Sequence, residues 1–174
     1  MDFNIIETAF ELIDARSFSN LWFWIVLAVS WSTSSYWVVG VPFDLVRRAA
    51  GGDAGAGADL AALADIHARR LARLGAGGGL LLTALAWFGA TMLLVLGLVY
   101  RIEFAQALFL LLVPMAVVSW LNLRTARRLL AAGPDATVAL IVRHRRIVQA
   151  LGIVSVFVTA LWGMWRNLTL SVLG

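Results

Sequence analysis

The sequence predicts an all-α protein: a four-helix transmembrane bundle with an N-terminal amphipathic surface helix and a cytoplasmic amphipathic helix. Three observations predict it. Of 174 residues, 61% are apolar and 14% charged, whereas soluble domains run at roughly 45–50% and 25%. Four stretches are free of charge over the roughly 20 residues needed to cross a bilayer. The basic residues are all Arg, and most of them gather in two of the segments between those stretches.

The composition excludes a disordered chain, a secreted disulfide scaffold and an ordinary water-soluble enzyme. Cys is absent. That removes disulfides, zinc–thiolate sites, thiolate-held iron–sulfur clusters and a cysteine nucleophile.

Taken in order, residues 3–16 carry Phe3, Ile6, Phe10 and Ile13 at helical spacing, with Asp2, Asn4, Glu7, Glu11 and Asp14 largely on the other side. This is the pattern of a helix lying at the membrane surface, or of a first helix packed on its neighbours. The acidic start lacks the basic region of a signal peptide. Ser17, Ser19 and Asn20 suit a helix cap. The first span is expected at about 20–41, ended by Pro42. Gly51–Gly57 reads as a flexible linker. Asp59–Leu74 is amphipathic, with Leu60, Leu63, Leu71 and Leu74 on one side. Its Asp and Arg residues keep it out of the bilayer, so it is expected to lie on the surface, broken by Gly75 and Gly77–Gly79. Spans follow at about 80–100, 104–123 and 147–165. The helix of the third continues to Ala132, about 29 residues in all, and Gly133-Pro134-Asp135 is a stop-and-restart signal. All 174 residues form one integral membrane domain.

The Arg residues orient the chain. Arg47, Arg48, Arg69, Arg70 and Arg73 lie in one loop region, and Arg124, Arg127, Arg128, Arg143, Arg145 and Arg146 in another. Only Arg16, Arg101 and Arg166 fall on the opposite side. The positive-inside rule then puts both loops in the cytoplasm and both termini in the periplasm. Arg without Lys, together with abundant Ala and Gly, is the usage of a high-GC bacterial genome, so the membrane is taken as a bacterial inner membrane. The net charge of +4 thus reports orientation, and no nucleic-acid partner is expected.

Five groups of residues have a pattern that chemistry or packing uses. Ser30, Ser32, Thr33, Ser34 and Ser35 put hydroxyls inside the first span, for helix packing or for the wall of a pore. Small residues share one face of the second span (Thr83, Ala86, Ala90, Gly97) and of the fourth (Gly152, Ser155, Thr159, Gly163). Such faces let helices approach closely, within the chain or between copies. At the outer edge Glu103, one turn from Gln106, is placed to pair with Arg166. His67 falls near the apolar side of its helix and His144 within an Arg cluster; neither position suggests a haem or metal ligand. Arg69, Arg70 and Arg73, with Arg124, Arg127, Arg128, Arg143, Arg145 and Arg146, suit anionic lipid head groups or an acidic partner protein. No ionisable residue sits near the centre of any span, which weighs against a proton-coupled transporter. No nucleotide-binding, zincin or serine-hydrolase motif occurs. No catalytic, cofactor or metal residue is assigned.

Ala15–Val46, ARSFSNLWFWIVLAVSWSTSSYWVVGVPFDLV, resembles the opening of a small family of multi-span inner-membrane proteins of alphaproteobacteria. A part in the Suf iron–sulfur assembly system is attributed to some of them. The resemblance covers about the first quarter of the chain and implies no catalytic residue. The expected function is therefore non-enzymatic: a structural, accessory or assembly protein of the membrane, self-associating or part of a larger complex. The alternative is a small homo-oligomeric channel or transporter with the hydroxyl-rich first span near its pore.

Overall fold

The computed structural model describes residues 17–133 and 136–172, excepting the side chains of 170–172. The expected N-terminal surface helix and the Pro134-Asp135 restart lie outside the described residues. A 3-10 turn at Ser17–Ser19 leads into α1 (Leu21–Tyr36). Two short strands follow, β1 (Trp37–Val38) and β2 (Val41–Pro42), then α2 (Phe43–Ala50), α3 (Ala54–Leu98), α4 (Glu103–Ala132) and α5 (Thr137–Val172). Three helices, α3, α4 and α5, are long and apolar enough to cross a membrane. That fits a multi-pass membrane protein.

α1 begins where Asn20 caps it, accepting the Trp22 N–H at 3.0 Å. It stops at Tyr36, five residues short of the expected end. The reason is the run Val38-Val39-Gly40-Val41, whose β-branched residues favour extended backbone. Gly40, at φ +82°, supplies the tight turn, and Val38 pairs with Val41 in an antiparallel hairpin. Val39, at φ +54°, is strained for a β-branched residue. Its side chain is buried, and that burial offsets the strain.

The expected flexible linker is a correction. Only Gly51–Asp53 is non-helical. Asp53 caps α3 through the Ala56 N–H at 3.0 Å and accepts from Arg48 at 3.0 Å. The Ala56 N–H, ahead of Arg48, holds its carboxyl below the usual range.

The expected break at the glycines is a second correction. Surface helix and second span are one helix of 45 residues, about 67 Å long at 1.5 Å per residue. A Cβ on Gly75 would lie 2.9 Å from a methyl of Leu123 on α4, so this glycine serves close helix approach. Breaking the helix at the edge of the apolar stretch would also leave peptide groups unpaired at several kcal/mol each. That exceeds the roughly 1 kcal/mol each glycine costs a helix.

Two cores result. At the Arg-rich end, the hairpin and α2 pack with the first half of α3, the last turns of α4 and the start of α5, burying Val38, Val46, Leu60, Ala64, Leu129 and Ile141. Leu60, Leu63 and Leu71 thus face this head rather than a bilayer surface, while Leu74 stays exposed. Farther along, Leu27 and Trp31 of α1 pack with Leu111 and Val118 of α4 and Val148 of α5.

Candidate functional site

The residues singled out above fall at three places. The first is the α1–α5 contact. Gly152 lies under Trp31, so close that a Cβ would sit 2.8 Å from the indole Cε3. Gly163 lies under Phe18, at 3.2 Å by the same measure. Ser155 and Thr159 between them are buried, and the Thr159 hydroxyl donates to the Ser155 carbonyl at 2.8 Å. This stripe is consumed inside the chain as the seat of α1 and its lead-in turn. The α3 stripe is not. Thr83 and Ala86 are exposed and Ala90 half-buried, and only Gly97 is covered, by Gln106. Thr83 bonds its own helix, donating to the Gly79 carbonyl at 2.6 Å.

The hydroxyls of α1 divide accordingly. Ser34 donates to the Met115 sulfur at 3.6 Å. Ser30 and Ser35 are half-buried, and Ser32 and Thr33 face outward. Helical geometry spreads consecutive positions around the axis, so the five cannot line one surface.

The second place is the end opposite the Arg-rich head. Gln106 is buried among three helices. Its Nε2 donates to the Gly97 carbonyl of α3 at 2.7 Å, and its Oε1 accepts the Trp162 indole N–H of α5 at 3.0 Å. The expected Glu103–Arg166 pair is not formed. Glu103 is buried and accepts the Phe18 N–H at 2.8 Å, so its carboxylate holds the turn before α1. Arg166 makes no ion pair among the described residues, and its Nε is buried without a hydrogen-bond partner. Ser19 bonds Asn167 at 2.9 Å, and Trp24 donates to the Phe18 carbonyl at 3.0 Å. Sequence reasoning did not foresee the Gln106 clamp. Its signal was present: Gln106 is the sole polar side chain between Phe104 and Val118.

No family model, curated protein or solved structure matches this chain.

The third place is the head. Arg70, Arg73, Arg124, Arg127, Arg128, Arg143 and Arg146 are exposed on it. Arg69 is paired with Asp65 one turn earlier. Arg145 stacks on the Phe43 ring, 3.5 Å from its centroid, and so ties α5 to α2. Arg124 lies over Trp120 at 5.4 Å. His144, expected among these cations, is instead buried in the head with its Nδ1 2.8 Å from the Thr125 hydroxyl. Burial pushes its pKa below the ordinary histidine value. His67 packs against the hairpin turn at Gly40. Among the described residues, no group of three or more His, Asp or Glu gathers closely enough to hold a metal ion. The arrangement offers binding surfaces: a cationic head, and beside it the apolar stretch of α3, none of whose residues the chain buries.

Proposed function

We propose that this chain is a non-enzymatic accessory or assembly protein of a bacterial inner membrane, with α1 as the fourth helix of a transmembrane bundle. It associates through α3, with itself or within a larger membrane complex. The Arg-rich head lies in the cytoplasm against anionic lipid or an acidic partner, and both termini are periplasmic. One observation carries the reading. The apolar stretch of α3 has none of its residues buried in the chain, whereas 28% are buried in the corresponding stretches of α4 and α5. Thr83, Ala86 and Ala90 on that stretch permit close approach by another helix. The resemblance at Ala15–Val46 fits the same reading, since assembly components act by association. α1, at 16 residues, is about 24 Å long. That is short of a core of about 30 Å, a mismatch that local thinning absorbs at modest cost.

The test is the mass of the gently extracted protein, by light scattering or native mass spectrometry. A defined oligomer or stoichiometric complex is expected. Leu at Thr83, Ala86 and Ala90 should dissolve it, and a strict monomer before substitution would refute the reading. The outward-facing Ser32 and Thr33 favour a second reading, a homo-oligomeric channel with α1 near the pore. A reproducible ion-selective current from the pure reconstituted protein would establish it over the first.

A further inference from the structure

We propose that the groove between the lead-in turn of α1 and the end of α5 is the docking site of the chain's own N-terminal segment, Met1–Arg16. The groove has a volume of about 580 Å³, and its walls include Phe18, Trp24, Ala160, Gly163 and Met164. It lies at the end of the molecule opposite the Arg-rich head, where Phe18 and Ser19 form one lip. Three observations select this occupant.

The first is continuity. Arg16 precedes Ser17 directly, so the segment leaves from the groove's own rim. A tether this short holds the segment at high effective concentration and favours it over any free ligand. The second is pattern. Phe3, Ile6, Phe10 and Ile13 recur at helical spacing, and a helix of that pattern presents one apolar stripe, the complement of a groove walled by Phe, Trp, Met and small residues. The third is charge. The segment carries Asp2, Glu7, Glu11 and Asp14 against a single Arg16. The described residues at this end have the opposite imbalance. Arg101 and Arg166 make no ion pair among them, the Arg166 Nε is buried unbonded, and Glu103 is already committed to the Phe18 N–H.

Three hydrogen bonds hold the lip in place. Glu103 fixes Phe18, Asn167 fixes Ser19, and Trp24 fixes the Phe18 carbonyl. Docking there covers the exposed Met164 and completes the far end of the bundle.

The absence of Cys makes the test direct. In the full-length protein in lipid nanodiscs, Phe10→Cys is paired with Met164→Cys, and Ile13→Cys with Ala160→Cys, and each pair is treated with a short bis-maleimide. Val117→Cys on the exposed face of α4 replaces the α5 partner as a control. We expect an intramolecular cross-link for at least one groove pair, seen as a linked peptide from monomeric protein, and none with Val117→Cys. Cross-linking only as dimers would assign the groove to a second copy and overturn the proposal. Absence of any cross-link, with Phe10→Cys shielded by lipid, would place the segment on the bilayer and overturn it equally. A second readout needs no paired variant. Replacing Phe3, Ile6, Phe10 and Ile13 by Ser should raise maleimide labelling of Met164→Cys on the order of tenfold, a factor within what burying an apolar side chain supplies. An unchanged rate would count against docking.

Discussion

The indole N–H of Trp162 donates to the Gln106 Oε1 at 3.0 Å, while the other end of the same amide donates to the Gly97 carbonyl at 2.7 Å. One side chain on α4 therefore fastens α3 and α5 at the end opposite the Arg-rich head. Hydrogen bonds in such surroundings are worth about 0.6–1.7 kcal/mol each. Gln106→Leu should remove both and destabilise the protein by about 1–3 kcal/mol, read as a lower thermal midpoint in detergent. Trp162→Phe should lose only one bond. Adding it to Gln106→Leu should then cost less than it does in the native chain. Equal cost in both backgrounds would show that the two residues are not coupled.

Gly152 and Trp31 make the corresponding contact between α5 and α1. A methyl at Gly152 would meet the indole at 2.8 Å, and overpacking of this kind costs about 1–3 kcal/mol. Gly152→Ala should lower the thermal midpoint, and Trp31→Phe should recover part of the loss. Gly89 on α3 is the control. Nothing lies within 4 Å of a Cβ there, and Ala stabilises a helix over Gly by roughly 0.5–1 kcal/mol. Gly89→Ala should be neutral or slightly stabilising. If Gly152→Ala behaved like Gly89→Ala, the α1–α5 contact would not be the tight one described.

These contacts mark where the sequence was and was not informative. Hydropathy alone places the apolar stretches of α3, α4 and α5, because a bilayer demands length and apolarity and little else. Continuity through Gly75–Gly79 was hidden, since the penalty for breaking a helix beside lipid depends on surroundings that no local propensity records. The hairpin at Val39-Gly40 was hidden for the converse reason: a charge-free run reads as span until β-branched residues and a positive-φ glycine turn it back. The two small-residue stripes look alike as patterns, yet one seats α1 and the other is covered only at Gly97 and left open at Thr83 and Ala86. Glu103 and Arg166 were paired on charge and proximity, but a backbone N–H at Phe18 reaches the carboxylate first. Opposite signs do not rank competing hydrogen-bond donors. The Thr125–His144 contact spans two helices and has no local signature at all.

The hairpin offers a sharp test of its own. Gly40 sits at φ +82°, and a Cβ there would come 2.6 Å from the His67 Nδ1. Gly40→Ala should therefore suffer twice, once from a left-handed conformation costing roughly 1–2 kcal/mol and again from the imidazole. His67→Ala in the same chain should relieve the second part and leave the first. A Gly40→Ala protein as stable as the parent would mean that the turn is made differently. Partial rescue, read by thermal unfolding, is the expected result.

The head should also respond to acid through His144. Its ring is buried beside Thr125, and burial lowers its pKa from the ordinary 6.5. Well above pH 6.5 it is neutral in both folded and unfolded chains and contributes no pH dependence. As the pH falls through 6.5, the unfolded chain takes up the proton first and so binds more protons than the folded one. Stability then declines with pH, and it levels off below the folded pKa, where both states are charged. Each unit of depression is worth about 1.36 kcal/mol. Asp53, held below the usual carboxylate range, keeps its charge through this window. Unfolding in detergent between pH 7.5 and 5.5 should show a falling midpoint that His144→Leu flattens. A slope that persisted in His144→Leu would assign the acid response to another group.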